Sequence, residues 1–206
     1  EVESKQSEIE KELENIDGMI VPGGYGKRGT EGKIECIKYI RENNIPFLGI
    51  CYGMQMAIIE FSRNVCGLTN ANSTEIEPST PHPVVSLLPE QKKIEGLGGN
   101  NRLGGRDVQV KKGTNTYEMY GNRTEIRERF RHRYEINPDY VPLLEKKGIV
   151  FSGKAPNVPI MQIMELPSNK FFFGTQYHPE LTSRPLNPNP CFIGFTKAAL
   201  EHAKKI

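Results

Sequence analysis

Short apolar runs alternate with amphipathic segments of helical length over the first third of the chain. Apolar residues fill positions 19–21 and 45–50, and between them Ile34, Ile37 and Ile40 recur at helical spacing. Apolar positions at helical spacing also follow residue 51, at Met54, Ala57, Ile58, Phe61 and Val65. The order strand, helix, strand, helix predicts parallel strands joined by helical crossovers.

The second half of the chain has a different pattern. Residues 67–115 are rich in proline and include the run LGGNNRLGG, which indicates loops. Strand-like runs follow at 129–137, 148–153, 159–166 and 171–177, and a closing helix begins near residue 192. Together these patterns predict an α/β fold: a flavodoxin-like, doubly wound, mostly parallel sheet with flanking helices and a small extra antiparallel portion.

The start of the chain is polar. Residues 1–16 are rich in Glu and Lys and predict a solvated helix, whereas a doubly wound domain usually opens with a strand. We therefore expect one domain over residues 1–206 that lacks its first strand–helix unit.

In doubly wound sheets ligands bind at the carboxyl ends of the strands, and the glycine-rich turns at 22–26 and around Cys51 fall at those ends.

Composition narrows the classes of function. The chain has 206 residues, of which 36% are hydrophobic and 25% charged, so it is long and apolar enough for a folded domain. The net charge of +2 requires neither a nucleic acid nor a membrane partner. The four cysteines form no CxxC pair, and no signal peptide is visible, which indicates free thiols and a cytoplasmic protein.

The run FLGICYGMQ, residues 47–55, carries the first candidate for chemistry. Cys51 lies between Gly49 and Gly53, after a strand and before a helix, which is the pattern of a nucleophile elbow. Such a turn crowds the residues two positions to either side, and the helix that follows favours a thiolate. The N–H of Tyr52 could then donate to an oxyanion. The alternative is a buried structural cysteine that happens to have glycine neighbours.

A thiol nucleophile needs a base, and the chain offers His82, His132, His178 and His202. His178 follows an apolar strand, as Cys51 does, and Glu180 is two residues further on. The carboxylate could fold back to orient the imidazole, as the acid does in a catalytic triad. Read alone, the pair is equally compatible with a surface histidine in a salt bridge.

These motifs resemble one family. GICYGMQ, QYHPE and the upstream PGG are similar to the class I glutamine amidotransferases, thiol enzymes that release ammonia from glutamine. The blocks PGGYGKRGTEGK, NANSTE, RLGGR, RHRYEIN and QYHPELTSRP further resemble the glutaminase domains of CTP synthases. Another amidotransferase, a γ-glutamyl hydrolase, or a catalytically silent regulatory domain are the alternatives.

The resemblance implies a role for each matching residue. Cys51 would be the nucleophile, His178 the acid and base, and Glu180 the carboxylate that orients it. Gly24 and Tyr52 would supply the oxyanion N–H groups. The implied glutamine-binding residues are Gly24, Tyr52, Gly53, Met54, Gln55, Glu75, Arg133 and Tyr134.

The charges of Glu75 and Arg133 would explain how a glutamine molecule is bound. Glutamine is a zwitterion, so Glu75 would hold its ammonium group, while Arg133 and the backbone of Tyr134 would hold its carboxylate. From the residues alone, the favoured interpretation is that Glu75 is a loop surface charge and Arg133 is part of a solvated strand face. The basic run 127–133 is interleaved with glutamates and has no aromatic platform, so we expect no nucleic acid partner.

The resemblance also implies partners outside the chain. We expect no cofactor or metal in this domain, no membrane, and a synthase domain in the same full-length chain that uses ATP, UTP and Mg²⁺. The chain has no GxxxxGK[ST] phosphate loop of its own. GTP would be an activator, the full-length protein a homo-tetramer, and the domain alone a monomer or dimer.

Two departures from the family pattern stand out. The residue after the nucleophile is usually leucine, but here it is Tyr52. The family's lid motif GGTMRLG reads GGNNRLG at 98–104, which puts the response to GTP in question but not the triad.

Overall fold

The computed structural model describes residues 6–88 and 102–204. Its helices are α1 (Gln6–Leu13), α2 (Thr30–Glu42), α3 (Tyr52–Asn64), α4 (Asn115–Met119), α5 (Val141–Lys146) and α6 (Pro190–Ala203), with short 3₁₀ turns at Pro138–Tyr140 and Pro179–Leu181. Its strands are β1 (Met19–Val21), β2 (Phe47–Ile50), β3 (Asn72–Ser73), β4 (Pro83–Ser86), β5 (Arg102–Val110), β6 (Glu125–His132), β7 (Glu135–Ile136), β8 (Val150–Lys154), β9 (Met161–Glu165) and β10 (Phe172–Thr175).

The described strands form a mixed sheet of seven strands and a smaller sheet of three. The large sheet has the order β1-β2-β10-β9-β8-β5-β6, and the small one has the order β3-β4-β7. Strand β2 pairs parallel with both β1 and β10, whereas every later neighbour in the large sheet is antiparallel. The predicted α/β class, with flanking helices and an extra small sheet, is confirmed.

The antiparallel part of the large sheet is more extensive than predicted. Among the described strands that are neighbours both in the chain and in the large sheet, only β1 and β2 are joined through a long helix, α2, in the way that parallel neighbours require. Strands β8 and β9 are connected by a short turn, and short connections produce antiparallel neighbours.

Most predicted elements lie where the pattern placed them. The helices expected at 30–44 and after Cys51 are α2 and α3, and the last three strand-like runs are β8, β9 and β10. The run 129–137, in contrast, divides into β6 and β7, which belong to different sheets. Residues 133 and 134 lie at this crossing, outside both strands.

Helix α3 is the centre of the core. Its residues Tyr52–Ser62 are all buried, and they pack on α2 and on strands of both sheets. Fully buried Glu60 of α3 accepts hydrogen bonds from the Arg41 guanidinium of α2 at 2.8–3.1 Å, so the buried charge is paired. This packing fixes the start of α3, where Cys51 lies.

Within the ranges given above, no helix is both long and apolar enough to cross a membrane.

Candidate active site

Cys51 occupies a strained turn between β2 and α3. Its backbone has φ 52° and ψ −100°, a conformation that residues other than glycine rarely adopt. The Cys51 N–H donates to Thr175 O of β10 at 2.6 Å, and the Gln55 N–H donates to Cys51 O at 3.2 Å. These bonds hold the strained residue in place, which is typical of functional turns.

The glycines on either side of Cys51 are required by close contacts. A Cβ added to Gly53 would lie 2.0 Å from Val21 O of β1, and one added to Gly49 would lie 2.8 Å from the backbone of Gly53. Real Cβ atoms do not approach this closely. The structure therefore confirms that the elbow leaves no room for side chains two residues before and after Cys51.

His178 and Glu180 form the predicted pair. His178 Nδ1 lies 2.6 Å from Glu180 Oε1, and the His178 N–H donates to Arg129 O of β6 at 2.9 Å. Gly23 faces both the imidazole and Cys51, since a Cβ there would lie 2.8 Å from His178 Cε1 and 3.8 Å from Cys51 Cβ. Buried His178 Nε2 has no hydrogen bond of regular geometry among the described residues, so it is available to the thiol.

Electrostatics in this pair favour an imidazolium. Interaction with the Cys51 side chain, followed by the hydrogen bond to Glu180, raises the pKa of His178 to about 10. Burial is the largest influence on the pKa of Glu180 and acts to raise it, but the hydrogen bond from His178, a backbone hydrogen bond and the charge of His178 together lower that pKa. A charged His178 beside Cys51 stabilises a thiolate, which is the reactive form of cysteine.

A buried carboxylate supports the turn that carries His178 and Glu180. Glu128 of β6 accepts hydrogen bonds from Thr182 Oγ1 at 2.9 Å, Asn189 Nδ2 at 2.8 Å and Tyr120 OH at 2.9 Å. Thr182 ends the 3₁₀ turn Pro179–Leu181. The turn is thus attached to β6 twice, at the His178 backbone and at the Thr182 side chain.

A pocket of about 320 Å³ opens beside Cys51. Its lining residues are Gly24, Tyr25, Cys51, Gln55, Glu75, Arg131, His132, Arg133 and Tyr134. The structure therefore brings together most residues predicted for glutamine binding. Gln55 Nε2 donates to Tyr134 O at 2.9 Å, which ties the first turn of α3 to the crossing between β6 and β7.

The pocket carries charges of both signs on its wall: the carboxylate of Glu75 and the guanidinium groups of Arg131 and Arg133. Burial and the Glu75 carboxylate raise the pKa of Tyr134, while the Arg133 guanidinium acts in the opposite direction, so both charges lie near the same phenol. Glu75 Oε1 accepts a hydrogen bond from the Gly26 N–H at 3.0 Å. An anion and a cation on one wall suit a small zwitterion.

Other predicted residues stand behind the pocket wall. Met54 is fully buried and packs against Gly174, where a Cβ would lie 2.9 Å from Met54 Cγ, and Gly53 faces Val21. Tyr52 is buried and is the first residue of α3, where backbone N–H groups have no partner within the helix. Neither the side chain of Met54 nor that of Tyr52 lines the pocket; a role for these residues in binding stays a prediction.

Three lining residues were not predicted: Tyr25, Arg131 and His132. Tyr25 adjoins the glycine pair 23–24, and the other two end β6 directly before Arg133, so proximity in sequence was the available signal.

His132 belongs to a buried ion-pair cluster. Its Nε2 lies 2.8 Å from Oε1 of fully buried Glu135, and Arg102 Nε donates to the same oxygen at 2.6 Å. Arg102 is part of the predicted lid motif, of which positions 98–101 lie outside the described residues.

Comparison with known proteins identifies the family to which a chain with these features belongs. The family model described as glutamine amidotransferase class-I matches residues 1–198. The CTP synthase of Sulfurisphaera tokodaii is 56% identical over 97% of this chain, which covers 37% of that protein. The CTP synthase of Pyrococcus furiosus is 52% identical over 100% of this chain, which covers 38% of that protein. The chain thus spans less than two fifths of the length of these relatives.

Solved structures agree with this assignment. The Trypanosoma brucei CTPS glutaminase domain with bound acivicin has a TM-score of 0.89 and 38% identity, and the match covers 95% of this chain and 75% of that one. A Thermoplasma acidophilum protein described as a GMP synthase subunit, with a TM-score of 0.63 and 20% identity over 97% of this chain and 81% of that one, shares the fold. The chain therefore belongs to the class I glutamine amidotransferase family, in the branch formed by the glutaminase domains of CTP synthases.

Proposed function

We propose that this chain hydrolyses glutamine to glutamate and ammonia, with Cys51 as nucleophile, and that it serves as the glutaminase domain of a CTP synthase. The observation that carries the proposal is the strained Cys51 turn, which opens into a pocket with Glu75 and Arg133 on its wall. The related Trypanosoma brucei glutaminase domain binds acivicin, which supports a small-ligand site in a domain of this kind.

The chemistry follows from the positions of Cys51 and His178. The Cys51 thiolate attacks the side-chain carbonyl carbon of glutamine, and the negative charge that develops on the oxygen is stabilised by the N–H groups of Gly24 and Tyr52. His178 then gives its proton to the leaving nitrogen, the C–N bond breaks, and ammonia departs.

A glutamyl thioester on Cys51 remains after this step. Neutral His178 takes a proton from water, the hydroxide adds to the thioester carbon, and the C–S bond breaks to release glutamate. Glu180 holds the imidazole through Nδ1 in both steps, so that Nε2 faces the reacting atoms.

The substrate is oriented by its own charges. Glu75 pairs with the ammonium group and Arg133 with the carboxylate, an arrangement that leaves the side-chain amide to reach Cys51. Binding a zwitterion between two fixed charges discriminates against amides that lack either charge.

The ammonia is used elsewhere in the full-length protein. The relatives are named CTP synthases and are more than twice as long as this chain, which supports a synthase domain that aminates UTP with ATP and Mg²⁺. We further propose that GTP activates the reaction, that the full-length protein is a cytoplasmic homo-tetramer, and that this domain needs no cofactor of its own.

Covalent labelling tests the proposal. A chloroketone analogue of glutamine should modify Cys51, as located by peptide mass spectrometry, and Cys51→Ala should abolish both labelling and glutamate release. Partly exposed Cys66 provides the matched control, because Cys66→Ala should leave both unchanged. Labelling at another residue of the folded protein, or glutamate release that survives Cys51→Ala, would overturn the proposal.

A further inference from the structure

The hydroxyl of Tyr52, the residue that follows Cys51, reaches the loop after β1. Tyr52 OH donates to Gly26 O at 2.5 Å and lies 3.3 Å from Thr30 Oγ1. Thr30 Oγ1 in turn donates to Lys27 O at 2.6 Å. A leucine could make none of these contacts.

The ring of Tyr52 also packs on Gly24. A Cβ built at Gly24 would lie 3.5 Å from Tyr52 Cδ1 and 3.8 Å from Cγ, which is ordinary van der Waals contact. Tyr52 is buried, with 3% of its surface exposed, so its ring fills the space beneath this part of the pocket wall.

Gly26 is held from both sides of its backbone. Its carbonyl accepts from Tyr52, while its N–H donates to Glu75 Oε1 at 3.0 Å. Gly26 has φ 77° and the loop around it forms no helix or strand, so its position depends on these bonds. Burial raises the pKa of Tyr52, so the hydroxyl remains a donor at neutral pH.

We propose that the Tyr52 side chain is a positioning residue for the oxyanion site: it fixes the loop 23–26 so that the Gly24 N–H converges with the N–H of Tyr52 itself. One residue then supplies one donor through its backbone and places the other through its side chain. The inference rests on the proposed glutaminase function, because it concerns the oxygen that becomes charged in that reaction.

Tyr52→Phe tests the proposal, since it keeps the ring and the backbone N–H and removes only the hydroxyl. The kcat for glutamine hydrolysis should fall by about five- to tenfold, the effect of losing one intramolecular hydrogen bond. KM should change by less than about twofold, because Arg133 is untouched and Glu75 keeps its place. Tyr39→Phe on α2, which removes a tyrosine hydroxyl outside the site, should leave kcat unchanged.

Alkylation of Cys51 by iodoacetamide separates positioning from a general structural role. This displacement builds no charge on a carbonyl oxygen, so its rate in Tyr52→Phe should match that of the unsubstituted chain. A parallel loss of alkylation and hydrolysis, no loss of either, or a variant that no longer folds would each overturn the inference. Failure of the proposed function is distinguishable, because the unsubstituted chain would then release no Cys51-dependent glutamate.

Discussion

Gly53→Ala should destabilise the protein, although it replaces a glycine within a helix. Helix propensity alone predicts the opposite sign, because alanine is favoured over glycine in a helix interior by about 1 kcal/mol. Gly53 is the second residue of α3, and its Cα faces the last residue of β1. The sign of the change therefore decides whether close packing at the elbow or helix propensity governs this position.

The magnitude follows from the contact distances. The added Cβ would lie 2.0 Å from Val21 O and 2.8 Å from Val21 C, far inside an ordinary contact of about 3.5 Å. Both are backbone atoms, so no side-chain rotation relieves the overlap, and α3 must move away from β1. We expect a loss of about 3 kcal/mol or more in the free energy of unfolding, at the upper end of overpacking effects.

Urea denaturation with linear extrapolation measures this loss. Gly194→Ala in α6 is the matched control, because its added Cβ would meet only side-chain atoms, Met119 Sδ at 2.5 Å and Phe171 Cε2 at 3.0 Å, and the Met119 side chain is flexible enough to move away. We expect the control to change the free energy of unfolding by less than about 1 kcal/mol. If Gly53→Ala unfolds at the same urea concentration as Gly194→Ala, the crowding argument is refuted.

Three other substitutions test the site. Glu180→Gln removes the anion beside His178, so the raised pKa of the imidazole falls and the alkaline limb of kcat/KM for glutamine moves to lower pH by about one unit. Glu128→Ala removes the buried acceptor shared by Thr182, Asn189 and Tyr120 and should lower the free energy of unfolding by about 2–4 kcal/mol and, through the loosened turn, kcat. Arg133→Ala should raise KM for glutamine by about tenfold or more with a smaller effect on kcat, because it removes a charged contact present throughout the reaction.

Two of these substitutions have matched controls on β6: Glu125→Ala for Glu128→Ala, and Arg127→Ala for Arg133→Ala. Glu125→Ala and Arg127→Ala change exposed side chains of β6, and we expect effects on stability within about 0.5 kcal/mol and no change in KM. An unshifted alkaline limb in Glu180→Gln would show that Glu180 does not stabilise the imidazolium. A Glu128→Ala protein as stable as Glu125→Ala would refute the role assigned to the buried carboxylate.

The arrangement of Cys51, His178 and Glu180 could be predicted because the chemistry proposed for them fixes both residue type and spacing. A nucleophile elbow needs small residues at fixed offsets, and the backbone of Cys51 has the positive φ that such a turn requires. The two-residue offset between His178 and Glu180 allows the 2.6 Å contact within one 3₁₀ turn. Their approach to Cys51 could be anticipated only from the rule that strand ends meet at one edge of a sheet.

Strand β5 was not predicted, because its residues do not favour a strand and the region 67–115 was expected to form loops. Gly104, Gly105 and the charged pair Arg106–Asp107 interrupt its apolar pattern, and Gly104 has φ 82°. The strand nevertheless pairs with β6 along its length, from Arg102 opposite His132 to Gln109 opposite Glu125. Pairing with a regular neighbour has outweighed local propensity here, and a single sequence does not reveal that pairing.

The alternation of β6 shows where the limit of prediction lies. Its residues Ile126, Glu128, Phe130 and His132 point inward, so the sequence pattern alone indicates that a carboxylate and an imidazole are buried. Buried polar groups need hydrogen-bond or ion-pair partners, but the sequence pattern does not show which residues these partners are. Glu128 binds the turn that follows His178, and His132 pairs with Glu135, which also accepts a hydrogen bond from Arg102 of β5. One strand thereby connects the acid–base pair to the pocket wall, and the spatial relation between the two halves of the site depends on partners that are distant in sequence.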